Sequence, residues 1–401
     1  MSTAEAIAFL HAHGVRDADI ERATAAGRLH LLVLENLALA GTPKYTQAEV
    51  AELSGLSTED LRRFWRALGF PDVEPGDRAF TEEDLNVLGT VTGSIAMGVT
   101  DIDVAVQLTR VYGSSMARIA DAEVQSGLSR TPEESARMAE LFALTGGGPI
   151  TAVATILEHV WRRHLQAAIR RQTMSDADTA GTLTVGFCDL VGFTAMSQQL
   201  DEAALAAVVS RFEELAYDTV AAGGGRVVKM IGDEVMYVVD NPTIAAHIGI
   251  ALSDAYSDEE SLSDVRVGLA YGPVLGWEGD YFGPVVNLAH RIVNIAFPGT
   301  VVVSGEVADA IDDETGLEVR PLRPRMLKDI GRVPLFVVGH PGEARPQWRG
   351  RTRRMAPARE VAKAVLTEVA RRHGLRRDAD GGDGEGPEVE AAVDGGERPA
   401  P

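Results

Sequence analysis

The chain has 401 residues, 45% of them hydrophobic, which is enough to bury a core in each of two or three domains. Its formal charge of −21 would repel a polyphosphate duplex and argues against a nucleic-acid binder, and a single cysteine, Cys188, excludes any internal disulfide and fits a reducing compartment. With no run of about 18 apolar residues and no basic-then-apolar leader, a cytoplasmic protein without a stable nucleic-acid or membrane partner is expected.

From Ala4 to about Gly127 the apolar spacing is helical throughout. Thr46, Ser57 and Thr81 each precede an acidic residue by three positions, the signature of a helix N-cap. The segment from Thr46 to Phe70 carries two short helical patterns around Gly55, with Arg62, Arg63 and Arg66 on the second. This rhythm matches a helix-turn-helix. The acid-rich surroundings, and the core character of Phe64, Trp65 and Leu68, favour a packing unit with a solvated basic edge over a DNA contact. A helix with Pro132 near its first turn follows, then the breaker Thr145 to Ile150, then a long helix from about Ile150 to Gln172. In that helix Val153, Leu157 and Val160 form an apolar stripe with His164 on or beside it, where a protonatable ring either couples pH to helix geometry or is simply a partly exposed amphipathic residue. The expected division is a helical domain over residues 1–149 and a helical linker over 150–178.

From Thr182 to His340 strands alternate with helices: strand 182–188, helix 201–222, hairpin 226–239, helix 242–256, strand 265–271, helix 284–296 and strand 300–304. The opening order βαββαβ is a ferredoxin-like plan with helices over a mainly antiparallel sheet, so the fold class is α+β, an all-helical domain followed by this one over 179–342. Residues 343–401 are Arg-rich, then acidic and rich in Gly and Pro, and are expected to be largely disordered.

Two carboxylates stand at strand ends in this second domain. Asp189 closes the apolar run TLTVGFC, and Asp233 sits in the Gly-Asp-Glu turn of the 226–239 hairpin. Hard oxygen ligands on rigid elements suit Mg²⁺ or Mn²⁺, which bind through one or two carboxylates plus substrate phosphates. Two such ions can stabilise the attacking and leaving oxygens of an in-line displacement. After Asp189, Gly192, Phe193 and Thr194 lead into a helix, a place where backbone N–H groups can approach a triphosphate. Asn287 and Arg291 share one helical face, with Val286, Leu288 and Ile292 expected beneath, and a forked guanidinium suits charge developing on phosphorus. Lys229, in a strand, and Asp280, in the EGDYFGP loop, can read a base, Lys donating to adenine N1 and Asp accepting from the exocyclic amine. Guanine would leave both unpaired at about 1–3 kcal/mol each. Lys328, in the MLKDIG turn, is preferred over Arg266, at the head of a strand, as a phosphate contact.

The motifs FCDLVGFT, KMIGDEVMYV and DYFGPVVNLAHR, in this order, resemble the catalytic domain of the class III nucleotidyl cyclases over roughly Thr182 to Gly339. The resemblance implies metal-binding Asp189 and Asp233, adenine-selecting Lys229 and Asp280, transition-state Asn287 and Arg291, and a phosphate contact at Lys328. The first six of these are the residue types of adenylyl cyclases. Asp329 departs from the glycine common after that lysine. The resemblance further implies conversion of ATP to 3′,5′-cyclic AMP and pyrophosphate with two Mg²⁺ or Mn²⁺ ions per site. It implies a head-to-tail homodimer whose sites take metal aspartates from one chain and base-selecting and transition-state residues from the other. The helical N-terminal half is similar to the regulatory domain of actinobacterial cyclases, which implies a regulatory role. The alternatives are a guanylyl cyclase and a catalytically inactive, nucleotide-binding transcriptional regulator.

Overall fold

The computed structural model describes residues 2–38, 41–128, 137, 148–174, 181–259 and 261–342. Nearly all of the expected Pro132 helix, the first half of the breaker, the end of the linker and the Arg-rich and acidic tail lie outside the described residues. The chain divides into two compact units, one of residues 1–180 with Gly276–Asp280, the other of Gly181–Leu275 with the residues from Tyr281 onward.

The first unit is helical: α1 (Thr3–Ala12), α2 (Asp17–Ala25), α3 (Leu29–Ala38), α4 (Gln47–Ser54), α5 (Thr58–Ala67), α6 (Glu82–Ala96), α7 (Ile102–Leu128) and α8 (Gly148–Met174). The cap signals act as read. Thr46 and Thr81 form reciprocal capping boxes with Glu49 and Asp84, and the Ser57 hydroxyl accepts from the Asp60 N–H. Gly55 ends α4 at φ 74°, the left-handed conformation that turns the chain into α5. Small cores hold the helices together: Leu10, Ile20 and Val33 among α1 to α3, and Val50, Leu61 and Phe80 around α4 and α5. On α5, Arg63 pairs with Asp60 and Asp103, and Arg66 grips both oxygens of Asp72. The basic edge is therefore largely neutralised within its own unit, as a packing unit requires and a phosphate-reading helix does not. On α8 the ring of His164 is exposed, as is Val160 at 45%.

From Thr182 onward the chain runs β1 (Thr182–Leu190), α9 (Phe193–Ser197), α10 (Glu202–Ala222), β2 (Arg226–Ile231), β3 (Glu234–Val239), α11 (Pro242–Asp258), β4 (Val265–Pro273), β5 (Leu275–Trp277), β6 (Asp280–Phe282), α12 (Pro284–Ile295), β7 (Thr300–Ser304), α13 (Gly305–Asp309), β8 (Glu318–Pro321), β9 (Arg325–Leu327), β10 (Gly331–Val333) and β11 (Leu335–Gly339). Seven strands make one sheet in the order β2-β3-β1-β4-β7-β11-β8. The first four adopt the expected ferredoxin-like arrangement, all antiparallel, and β7 then joins β4 in parallel. This is the α+β architecture anticipated from the strand and helix order.

Alternation along β1 decides which helices lie where. Cys188 and Leu190 pack with Val208, Phe212, Ala216 and Val220 of α10, whose buried positions recur every fourth residue, and with Ile248, Leu252 and Tyr256 of α11. Val185 and Phe187 point to the other face, onto Val285, Ala289, Ile292 and Val293 of α12. Each large aliphatic side chain buried this way contributes about 1.5–3 kcal/mol. The α12 seam differs from the expected one. Val285, Ala289 and Val293 take the deepest positions with Ile292, the i, i+4, i+7, i+8 stripe of the helix, while Val286 and Leu288 flank it and are only partly buried.

Candidate active site

Asp189 lies near the end of β1 on the face covered by α12. In register, it stands opposite Glu234 of β3 on one side and Arg266 of β4 on the other. Residues directly opposite in antiparallel strands point to the same face, so the row Glu234, Asp189, Arg266 crosses three strands. Arg266 Nε donates to Asp189 Oδ2 at 2.6 Å, with Asp189 only 15% exposed.

Asp233 occupies the turn between β2 and β3, after Gly232 at φ 65°, the glycine-first pattern of a tight hairpin. The Leu190 N–H donates to the Asp233 carbonyl at 3.0 Å, which stitches this turn to the end of β1 beside Asp189. The two carboxylates act on one another. Burial pushes the Asp233 carboxyl above the usual carboxylate range and the charge of Asp189 adds to the push, opposed by a backbone hydrogen bond and by Arg266. Glu234, 9% exposed, is pushed up to about 7, first by burial and then by Asp189 and Asp233. Among the described residues no group of three or more His, Cys, Asp or Glu side chains is placed to hold a metal ion. The fit to a hard divalent cation rests instead on the carboxylate pair. Paired carboxylates at the tip of two stitched strands are hard oxygen donors of the kind a divalent cation accepts beside water.

Gly192 follows at φ 78° and opens α9. The expected anion-binding helix end is smaller than the sequence implied. Phe193 and Thr194 start a helix of five residues, and the long helix begins only at Glu202, capped by Asp201. One turn carries little macrodipole, so any phosphate contact here depends on local N–H groups.

Asn287 and Arg291 sit on α12, Asn287 exposed and Arg291 in an ion pair of 3.8 Å with Asp329. Between them, His290 packs edge-on against Phe187 at 5.3 Å and faces Glu234 Oε2 at 3.6 Å. Within one chain Asp189 is thus partnered by Arg266 and Arg291 by Asp329. Lys229 lies on β2 and is partly buried. Asp280, expected in a loop, instead begins β6, because Glu278 at φ 52° and Gly279 at φ 81° make a two-residue turn back from β5. Lys328 is exposed in the turn between β9 and β10, where Asp329 takes a left-handed φ of 64° that Asp tolerates better than most non-glycine residues.

Of the two phosphate candidates, Arg266 is bonded to Asp189, and Lys328 lies exposed in the β9–β10 turn. A strand-edge arginine carries no motif. The signal for it was that its strand pairs with β1 at the level of Asp189.

A family model for the adenylate and guanylate cyclase catalytic domain matches residues 175–338, and one for the adenylate cyclase regulatory domain matches residues 1–131. An adenylate cyclase of Streptomyces coelicolor is 36% identical over 286 residues, spanning 70% of this chain and 75% of that protein. One of Glutamicibacter nicotianae is 32% identical over 303 residues, with the same two coverages of 70% and 75%. A solved adenylyl cyclase of P. aeruginosa is 23% identical with a TM-score of 0.36, covering 41% of this chain and 95% of that one. The chain belongs to the class III nucleotidyl cyclases. Within that family it groups with the cyclases that join a helical regulatory domain to the catalytic domain.

Proposed function

We propose that the chain is an adenylate cyclase converting ATP to 3′,5′-cyclic AMP and pyrophosphate. The observation that carries this reading is the stitching of the Asp233 turn to the end of β1, which sets two carboxylates together beside Arg266. The names of the relatives in the two actinobacteria support the choice of ATP. The regulatory domain is assigned to residues 1–149, the linker to 150–178 and the catalytic domain to 179–342.

Asp189 and Asp233 would hold Mg²⁺ or Mn²⁺, two ions per site, whose charge supports attack of the ribose 3′-oxygen on the α-phosphorus and departure of pyrophosphate. Gly192, Phe193 and Thr194 border the triphosphate. Arg266 exchanges Asp189 for phosphate oxygens, and Lys328 supplies a second cation to them. Lys229 donates to adenine N1 and Asp280 accepts from the exocyclic amine. Asn287 orients the ribose, and Arg291 leaves Asp329 to meet charge building on the phosphoryl oxygens. The two halves come from different protomers of a homodimer, so each dimer holds two composite sites. The helical unit sets the activity of the pair.

Purified full-length protein given Mn²⁺ with ATP or GTP separately tests the substrate. Cyclic AMP should predominate by at least about 30-fold, the worth of two lost buried pairings at about 1 kcal/mol each. Preferential cyclic GMP formation, or no turnover of either nucleotide, would overturn the reading.

A further inference from the structure

The β2 strand does not run evenly. Arg226 pairs with Val238 and Val227 with Tyr237, but Lys229 pairs with Met236, so Val228 is an extra residue and the register shifts by one. Such a bulge re-aims the side chains that follow it. Three positions apart on a regular strand, Arg226 and Lys229 would point to opposite faces. With the bulge, both share the face of Val238 and Met236, which is the α12 face.

On that face Arg226 is engaged twice by one residue. Its Nη2 donates to the Tyr281 hydroxyl at 2.5 Å, and its guanidinium lies 5.3 Å from the centroid of the Tyr281 ring. Both side chains are partly buried, and Tyr281 also packs against the core beneath α12. A planar guanidinium that both donates to a hydroxyl and faces the ring carrying it is fixed in distance and in angle, which a flexible ammonium is not. Tyr281 is the middle residue of β6, a strand of only three residues, and Asp280 directly precedes it. A strand that short has little pairing of its own to hold it in place.

We propose that Arg226 and Tyr281 are positioning residues for nucleotide selectivity: the pair fixes β6, which carries Asp280, against β2, which carries Lys229. The proposal rests on the reading of Lys229 and Asp280 as base-selecting. Adenine and guanine differ in where one donor and one acceptor stand. Two side chains on separate strands discriminate between them only while the strands keep their spacing.

The test measures kcat/KM for ATP and for GTP with Mn²⁺ on full-length protein, together with the melting temperature. Arg226→Ala should lower the ATP-to-GTP ratio about tenfold, mainly through a raised KM for ATP, with a smaller fall for Tyr281→Phe, which keeps the ring. The double variant should fall no further than Arg226→Ala alone, and Arg226→Lys should recover part of the ratio. Lys229→Ala and Asp280→Ala serve as references. If these shift the ratio while Arg226→Ala and Tyr281→Phe leave it unmoved, the clamp is overturned and base selection stands. A ratio unmoved in all four means that base selection itself has failed, and the clamp's role with it. Equal losses for both nucleotides with a lower melting temperature mark a merely structural pair and overturn the proposal. Should Arg226→Ala not fold, Tyr281→Phe and Arg226→Lys decide the question, since both keep the packing.

Discussion

Asp189 and Asp233 repel each other in a partly buried setting, and Arg266 answers only part of that repulsion. A carboxyl whose pKa is raised in the fold contributes stability when protonated and withdraws it as pH rises through its folded pKa. A neutral isostere at that position removes the withdrawal. Asp233→Asn is therefore expected to melt a few degrees above the parent protein without divalent cation, at pH 7 to 8, while losing nearly all cyclase activity. Adding Mn²⁺ should raise the melting temperature of the parent and not of the variant. A variant that melts lower, or that still gains stability from Mn²⁺, would remove Asp233 from the ion site. Cys188, next to Asp189 in the chain, makes the opposite case. It is fully buried on the face packed by α10 and α11, so the only thiol of the chain should resist iodoacetamide in the native protein and label fully in denaturant. Labelling of native protein within minutes would show that the β1 face opens. The carboxylate pair was legible in the sequence as two acidic residues at strand ends, because each ends an apolar run or is marked by a turn residue. Arg266, Glu234 and His290 were not, since their place follows from strand register and helix rotation, which no local motif encodes.

At the scale of elements, the site depends on how closely α12 lies on the sheet. Gly268 of β4 makes that approach possible: a Cβ there would stand 2.4 Å from the Val293 nitrogen and 2.7 Å from the Ala289 carbonyl. Both are backbone atoms of the helix, so no side-chain rotation relieves the clash, and Gly268→Ala must lift α12. The expected cost is about 1–3 kcal/mol of stability. Activity should fall on the order of 10²-fold, because Asn287 and Arg291 move with the helix. Urea denaturation with parallel assays checks this, and a variant of parental activity would show that α12 is not held as described. On the other face Gly186 makes room for a side chain instead, since the ring of Tyr237 on the neighbouring strand would lie 2.3 Å from an added Cβ. Neither glycine announced its role in the sequence, because each sits inside a strand whose partner is set by long-range packing. The long helices and core strands were readable from periodicity and caps. The pair β5 and β6, three residues each, was too short for any period to emerge, which is why Asp280 was expected in a loop.

For the whole molecule, the separate partnering of the two halves within one chain is what a shared site would produce. Asp189 is closed by Arg266, and Arg291 by the exposed Asp329, each a partner that the proposed shared site would exchange for nucleotide and a second protomer. An exposed pair such as Arg291 with Asp329 contributes at most about 1 kcal/mol, so the exchange is inexpensive. Asp189→Ala and Asn287→Ala should each be nearly inactive as homodimers, the first lacking a carboxylate in both sites and the second lacking the ribose-orienting amide in both. In a heterodimer the two lesions fall together in one site and leave the other intact. Random exchange at equal concentrations makes half of the dimers mixed, each with one working site of two, so specific activity should recover to about a quarter of the parent value. Tagging the two variants differently confirms that mixed dimers form. Mixed dimers with no recovery would place both residue sets in the same protomer's site, and recovery without mixed dimers would mean that the variants are not individually inactive.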